Sequence, residues 1–203
     1  MNYLKNLFAI GLFIVTASAT AWSQAFPVDN FHEVDPGKLY RSAQLSPQEL
    51  QQKINELHLK TIINLRGAAP GAPWFEQEVA VAKANGMAMI NIPLDGMRLP
   101  TRNELMALLK SYAMAPRPIL VHCEMGADRS GLASGVYVFD VSHGNRAAAL
   151  TMLSPRFLHF RQLMPAMDFF MEKIYQGSAW ALQNYEPCNQ NYPYFDKAQL
   201  CHR

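Results

Sequence analysis

Apolar positions along this chain switch between two periods. Residues 60–65 place Ile62, Ile63 and Leu65 in a compact run, the pattern of a buried strand. Residues 87–94 and 119–122 read the same way. Shorter runs at 31–34 and 38–41 predict two strands around the Pro36-Gly37 turn. Helical signals lie between these runs. Ser46-Pro47-Gln48-Glu49 combines a capping serine, a proline suited to the first helical position and a glutamate that completes a capping box. A helix from there to about Leu57 follows. Phe75, Val79 and Ala82 have helical spacing over 74–85, and Gly86 fits the stop. Thr101-Arg102-Asn103-Glu104 is a second capping box, opening a helix to about Ala113. A helix is expected over 130–141, and further helical segments over 147–175. Residues 177–203 are rich in Asn, Pro and aromatics and predict an irregular tail.

Strands that alternate with helices imply an α/β class: a single domain with a mainly parallel central sheet flanked by helices. A length of 203 residues favours one domain. Half the residues are apolar, so a packed core can form and wholesale disorder is excluded. The formal net charge of +2 gives no electrostatic ground for a nucleic-acid partner. The sequence leaves the oligomeric state open. Ligands in such folds sit at the carboxyl ends of strands, so the turn that leaves Val121 is the first place to look.

The opening segment changes how the cysteines are read. Lys5 precedes an apolar run at 7–15, and the small residues Thr16, Ala17, Ser18, Ala19, Thr20 and Ala21 follow. This is the layout of a signal peptide. Ala19-Thr20-Ala21 and Ser23-Gln24-Ala25 both fit a cleavage site, and cleavage after Ala25 is preferred. An uncleaved anchor is the alternative, against which the short apolar run and the small-residue block argue. The expected organisation is a signal peptide at 1–25, a domain at 26–176 and the tail at 177–203. The expected location is periplasmic or secreted, with no membrane span after cleavage. An exported chain tends to oxidise unpaired thiols. A bridge between Cys188 and Cys201 would leave Cys123 as the free thiol, and closing so small a loop contributes roughly 3 kcal/mol in the chain-entropy model. Two unpaired tail thiols are the alternative.

Cys123 sits in the segment His122-Cys123-Glu124-Met125-Gly126-Ala127-Asp128-Arg129-Ser130-Gly131, between a buried strand and a helix. Such a loop can wrap the backbone N–H groups of Glu124, Met125, Gly126, Ala127, Asp128 and Arg129 around an anion such as phosphate, with the helix N-terminus aimed at it. Gly126 permits a backbone conformation that other residues resist. Arg129, six positions after Cys123, can return to face the same anion with its fork of donors. Amide donors, a helix terminus and a guanidinium all favour thiolate over thiol. A thiolate so placed can attack phosphorus, while the loop amides and Arg129 hold the developing charge. Ser130 can donate to the sulfur and ease its departure. His122 orients the loop from behind, or is simply a satisfied core histidine.

The pattern His-Cys-x-x-Gly-x-x-Arg-Ser-Gly resembles the signature loop of the cysteine-based protein tyrosine phosphatase superfamily, and the short chain resembles its dual-specificity branch. Leu39-Tyr40-Arg41-Ser42-Ala43-Gln44 and Thr61-Ile62-Ile63-Asn64-Leu65-Arg66 are similar to segments of bacterial members, and the match runs over about 31–175. The resemblance implies the α/β fold expected above and a two-step, metal-free hydrolysis of a phosphomonoester that needs no cofactor. The sequence has no cluster with zinc-ligand spacing. By the same resemblance the proton donor comes from a loop after the preceding strand, which makes Asp95 in Ile92-Pro93-Leu94-Asp95-Gly96 the preferred acid. Asp-Gly is also a common turn former. Asp128, inside the loop, is the rival acid, or else it positions Arg129 or caps the following helix.

None of the variable loop residues is basic, and Glu124 and Asp128 would repel a polyphosphorylated substrate. A phosphotyrosine or phosphoserine/threonine monoester, on a protein or a small molecule, is therefore favoured over an inositol phosphate or phosphoinositide. Arg66, Arg98 or Arg102 could compensate from other loops, although a surface salt bridge is the plainer expectation for Arg66. A catalytically silent phosphate-binding module is a second reading, set back by the presence of both Cys123 and Arg129. A sulfurtransferase or arsenate reductase is a third, set back by the loop length and the Arg129-Ser130 pair.

Overall fold

The computed structural model describes residues 29–201. The expected signal peptide at 1–25 lies outside them. The strands are β1 (His32–Asp35), β2 (Leu39–Ser42), β3 (Thr61–Asn64), β4 (Ala88–Asn91) and β5 (Ile119–His122). The helices are α1 (Pro47–Leu57), α2 (Pro73–Ala84), α3 (Arg102–Met114), α4 (Asp128–Asp140), α5 (Arg146–Thr151), α6 (Pro165–Phe169), α7 (Ser178–Asn184) and α8 (Lys197–Leu200). A π turn (Phe170–Ile174) extends α6, and the 3-10 turn Pro155–Phe157 lies between α5 and α6.

The sheet runs β1-β2-β5-β3-β4. Only β1–β2 is antiparallel, across the turn at Pro36-Gly37, and the other three pairs are parallel. Side chains alternate between faces, as a pleated strand requires. Tyr40, Ile62 and Leu120 face α1 and α2, where they meet Leu50, Ile54 and Ala82. Leu39, Ile63, Ile119 and Val121 face the larger core under α3, α4 and α6. Burial on both faces explains why β3 and β5 read as unbroken apolar runs.

Both capping boxes form. Ser46 accepts from the amide of Glu49 and Thr101 from that of Glu104, and each glutamate reaches back to the capping residue's own amide. Most bounds shift by a residue, and two elements differ from the sequence expectation by two residues or more at one end. Strand β4 stops at Asn91, because Pro93 lacks a donor and the chain then turns into the loop at Asp95. Helix α4 begins at Asp128, two residues early, so the N-terminal turn of the helix is part of the loop that follows Cys123.

Residues 177–203 need a correction. Instead of an irregular tail, 178–201 carries α7 and α8 and closes the core. Ala181 and Tyr185 are fully buried in the larger cluster, and the Tyr185 hydroxyl donates to the Pro100 carbonyl at 2.5 Å. Arg102 donates to the carbonyls of Ala181, Leu182 and Tyr185 at the end of α7. Cys188 and Cys201 form a disulfide that ties α8 back to the segment after α7. The tail is thus part of the domain. Replacing Tyr185 by alanine should cost about 3–5 kcal/mol of unfolding free energy in urea titration, whereas a loose tail would leave the midpoint unchanged.

Candidate active site

Strand β5 lies at the centre of the sheet, and its last residue hands the chain to Cys123. Cys123 is buried and unpaired, and the loop 124–127 connects it to α4. The outer side of this loop is held carbonyl by carbonyl. The amide of Gln44 donates to the Glu124 carbonyl at 3.1 Å. The Asn30 amide donates to the Met125 carbonyl at 2.9 Å. Arg41 Nη2 donates to the carbonyls of Gly126 and Ala127 at 2.7 and 2.9 Å. A trans peptide sets its N–H opposite its C=O. Four successive carbonyls drawn outward therefore leave the amides of residues 125–128 turned inward, toward the space beside Cys123. The first turn of α4 has no side-chain cap, so its amides also remain open to an anion.

Gly126 makes this shape feasible. Its φ is 68°, and a Cβ there would stand 2.5 Å from the Ala43 amide nitrogen and 2.6 Å from the Ser42 carbonyl carbon. Both neighbours are backbone of the segment after β2, so neither can yield. Arg41 is the other determinant. It is fully buried at the end of β2, its Nη1 donates to the Met152 carbonyl, and its guanidinium lies 4.3 Å from the Phe157 ring centroid. Burial lowers its pKa to about 10, against the nearby Cys123, Tyr112 and Asp128.

Arg129 lines a cavity of about 430 Å³ together with Leu94, Asp95, Arg98, Asp128 and Met164. Both candidate acids thus share one wall with the guanidinium. Asp95 is half exposed, and its Oδ1 accepts from the Met97 amide at 2.8 Å. Its Oδ2 lies 3.8 Å from Arg98 Nε. Asp128 is more enclosed, and its Oδ1 lies 2.7 Å from Nδ1 of the buried His159. Glu124 is exposed at the mouth, 4.0 Å from Arg129, and Met125 is exposed beside it.

His122 stands behind the loop, with Nδ1 3.4 Å from the Cys123 carbonyl. Its Nε2 lies 2.9 Å from Glu78 Oε1, but off the direction of a well-formed hydrogen bond. The expected bond from Ser130 to the sulfur is not formed among the described residues. The buried Ser130 hydroxyl instead donates to the Ser42 carbonyl of β2 at 3.4 Å. Of the three arginines that could bring compensating charge, only Arg98 lines the cavity, and it is already held by Glu104 at 2.6 and 2.8 Å. Arg66 stacks over Trp74 at 3.6 Å and donates to Gln44, and Arg102 serves α7. Among the described residues no cluster of three or more His, Cys, Asp or Glu could hold a metal ion.

A parallel α/β sheet whose central strand delivers a cysteine into an amide cradle, with an arginine on the pocket wall, defines the cysteine-based protein tyrosine phosphatase class. Residues 24–156 match the family model of the DSP-PTPase phosphatase fused to NAD+ kinase, and the chain belongs to this dual-specificity phosphatase family. It is 29% identical over 133 residues to the dual specificity protein phosphatase TpbA of Pseudomonas aeruginosa (strain UCBPP-PA14), a match covering 64% of this chain. The chain spans little more than half of that relative, 56% of its length. The fold is also that of solved structures. The crystal structure of P. aeruginosa TpbA superposes with a TM-score of 0.59 at 22% identity, covering 74% of this chain and 88% of that one. The core catalytic domain of the PP-IP phosphatase SIW14 from S. cerevisiae superposes with a TM-score of 0.56 at 23% identity, covering 74% and 88%.

Arg41, Asn30 and Gln44 were invisible as site residues in the sequence, as were His159 and Asp168. The one signal for the first was an arginine inside an otherwise buried strand pattern, in a segment that already carried the family resemblance. Arg41→Lys keeps the charge but gives up the planar fork that spans the three carbonyls. It should weaken inorganic phosphate or tungstate binding at least tenfold, since bonds to a charged donor contribute about 1.5–3 kcal/mol each. Calorimetric titration would read this, and unchanged affinity would show that the loop keeps its shape without Arg41.

Proposed function

We propose that this protein is a cysteine-dependent phosphomonoesterase, acting on phosphotyrosine or other phosphorylated protein side chains through a phosphocysteine intermediate. The outward anchoring of the loop carbonyls carries this reading, because it leaves a preformed set of donors facing a buried thiol. In the first step Cys123 Sγ forms a bond to phosphorus as the P–O bond to the leaving group breaks. An aspartic acid gives its proton to the departing oxygen. In the second step water attacks phosphorus, the same carboxylate takes a proton from it, and the S–P bond breaks to free phosphate. Arg129 and the loop amides hold the equatorial oxygens in both steps.

The sequence alone preferred Asp95 as that acid. The geometry lends more support to Asp128. The Asp95 carboxylate is occupied in a turn with Met97 and faces Arg98, the turn-former use of Asp-Gly. Asp128 lies next to Arg129 on the cavity wall and is fixed by a buried partner. The substrate class rests on charge. Three carboxylates lie on or beside the pocket; of its two arginines, Arg98 is held by Glu104 at 2.6 Å and Arg129 is only loosely approached by Glu124 at 4.0 Å, which suits one phosphate rather than several. The relative TpbA carries the name of a dual specificity protein phosphatase, which agrees.

Turnover of an aryl phosphate by the wild type and its loss in Cys123→Ser would support the chemistry. A Cys123→Ser variant of undiminished rate would end it. Asp128→Asn should slow esters of poor leaving groups by about 10²–10⁴-fold while sparing good ones. If Asp95→Asn shows that selectivity and Asp128→Asn does not, the acid is Asp95. A panel of phosphopeptides, phosphoinositides and inositol phosphates should rank the peptides first.

We also propose that the chain is exported. Support comes from the signal-peptide pattern at 1–25 and from a disulfide whose partners would be reduced in a cytosol. N-terminal sequencing of the native protein should begin at Phe26 in the periplasmic or extracellular fraction. An intact Met1 in the cytoplasmic fraction would overturn export.

A further inference from the structure

His159 is fully buried between the 3-10 turn and α6, and both of its ring nitrogens face carboxylates. Nδ1 lies 2.7 Å from Asp128 Oδ1, and Nε2 lies 2.8 Å from Asp168 Oδ2. Asp168, on α6, is itself buried. A neutral imidazole carries one donor, and an ionised carboxylate only accepts. Two carboxylate partners at hydrogen-bond distance therefore place a proton on each nitrogen. A doubly protonated ring donates to Oδ2 of Asp168 and to Oδ1 of Asp128, which leaves Oδ2 of Asp128 to carry the proton that the acid gives up. A histidine that served packing alone would need no charge and no second carboxylate. The backbone also points to selection of this placement. Leu158, just before it, sits at φ 62°, a region that bulky residues rarely occupy.

We infer that His159, clamped by Asp168, is a positioning residue for the reaction: it holds Oδ1 of Asp128 so that the other carboxyl oxygen is turned to the leaving group. The inference rests on Asp128 being the acid. His159 keeps both its protons through the cycle, and only Asp128 exchanges a proton with substrate and water. Asp168 fixes the ring as the aspartate of a Ser-His-Asp triad fixes its histidine. The groups that face the ring are Asp128 from the start of α4 and Asp168 from α6. Arg161, whose charge reaches Asp168, is held at the surface by Glu172; the charge of Arg41 reaches Asp128, and Arg129 lines the same cavity as Asp128.

The ring's charge sets a pH dependence. Burial disfavours the imidazolium, but the bonds to Asp128 and Asp168 outweigh it and raise the His159 pKa above the ordinary value of 6.5. The charged ring is complete below that raised pKa and lost above it. Esters of poor leaving groups should therefore lose rate on the alkaline side as His159 titrates. The titration of the His159 Cε1–H resonance, followed by NMR, should coincide with that limb of the wild-type kcat profile. Asp168→Asn removes one of the two raising partners, so resonance and limb should move together to lower pH, by about one unit. His159→Asn keeps an amide donor near the Nδ1 position at every pH. It should retain most of the activity and lose the part of the limb that follows the His159 resonance, whereas His159→Ala should fall at least tenfold in kcat with KM unchanged.

A limb that lies more than one pH unit from the wild-type His159 titration overturns the inference without any variant. So does a limb that stays fixed in Asp168→Asn while the resonance shifts, or a profile in His159→Asn that is unchanged from the wild type. In each of these cases Asp128 remains the acid if Asp128→Asn still slows poor leaving groups selectively. If Asp128→Asn leaves those substrates untouched, the acid assignment fails and the role of His159 falls with it.

Discussion

A guanidinium buried behind the loop fixes the direction of its peptide planes. Arg41 reaches from β2 across to three main-chain carbonyls and so decides which way the amides of the loop point. An anion cradle built from backbone donors cannot be specified by the identity of the residues that line it, since every residue has an N–H. What must be specified is where the carbonyls go, because each buried one needs a partner. Arg41, Asn30 and the Gln44 amide supply those partners from one edge. Burying a guanidinium without a carboxylate pair is costly. It is tolerated here because its two terminal nitrogens are satisfied by carbonyls, the Phe157 ring covers it, and Cys123 and Asp128 lie nearby. The same positive charge stands beneath the place where a substrate dianion would bind.

The scaffold was legible because its signals are local. Capping boxes at Ser46 and Thr101 depend on four adjacent residues, and the apolar runs of β3 and β5 depend on burial of both faces. The Cys123–Arg129 loop was legible for a related reason. Its cysteine, glycine and arginine are spaced by the geometry of a single turn into α4. The residues that shape the loop from outside come from elsewhere in the chain, as far as 95 residues away for Asn30 and Met125. Nothing in a single sequence marks such pairs. Ser130 illustrates the limit differently. Its type and position suit a bond to sulfur, yet its hydroxyl donates to a carbonyl of β2.

The tail was misjudged on composition. Helix α7 has seven residues, no side-chain cap and one buried position, so it offers no amphipathic period. Its stability comes from partners rather than from propensity. Arg102 satisfies its last carbonyls, and Tyr185 fills a place in the main core beside Phe170. The aromatics that made 177–203 resemble a biased, irregular segment are the residues that pack.

The segment 152–159 ties the two halves of the site together. Its Met152 carbonyl takes one arm of Arg41, its Phe157 ring covers that guanidinium, and the Phe157 carbonyl accepts from Asn30, which also holds the Met125 carbonyl. Two residues later His159 grips Asp128. The amide cradle and the carboxylate of Asp128, whose own amide belongs to that cradle, are therefore both braced by one short stretch of chain. On the proposed reading the cradle would place phosphorus and the carboxylate would meet the leaving oxygen a bond length further on, so a common support would keep that offset constant. A shift of this stretch would move donor and cradle together and preserve their alignment. On the proposed reading a change at His159 alone would disturb the Asp128 carboxylate and leave the carbonyl anchors of the cradle in place, so proton transfer would fail before anion binding.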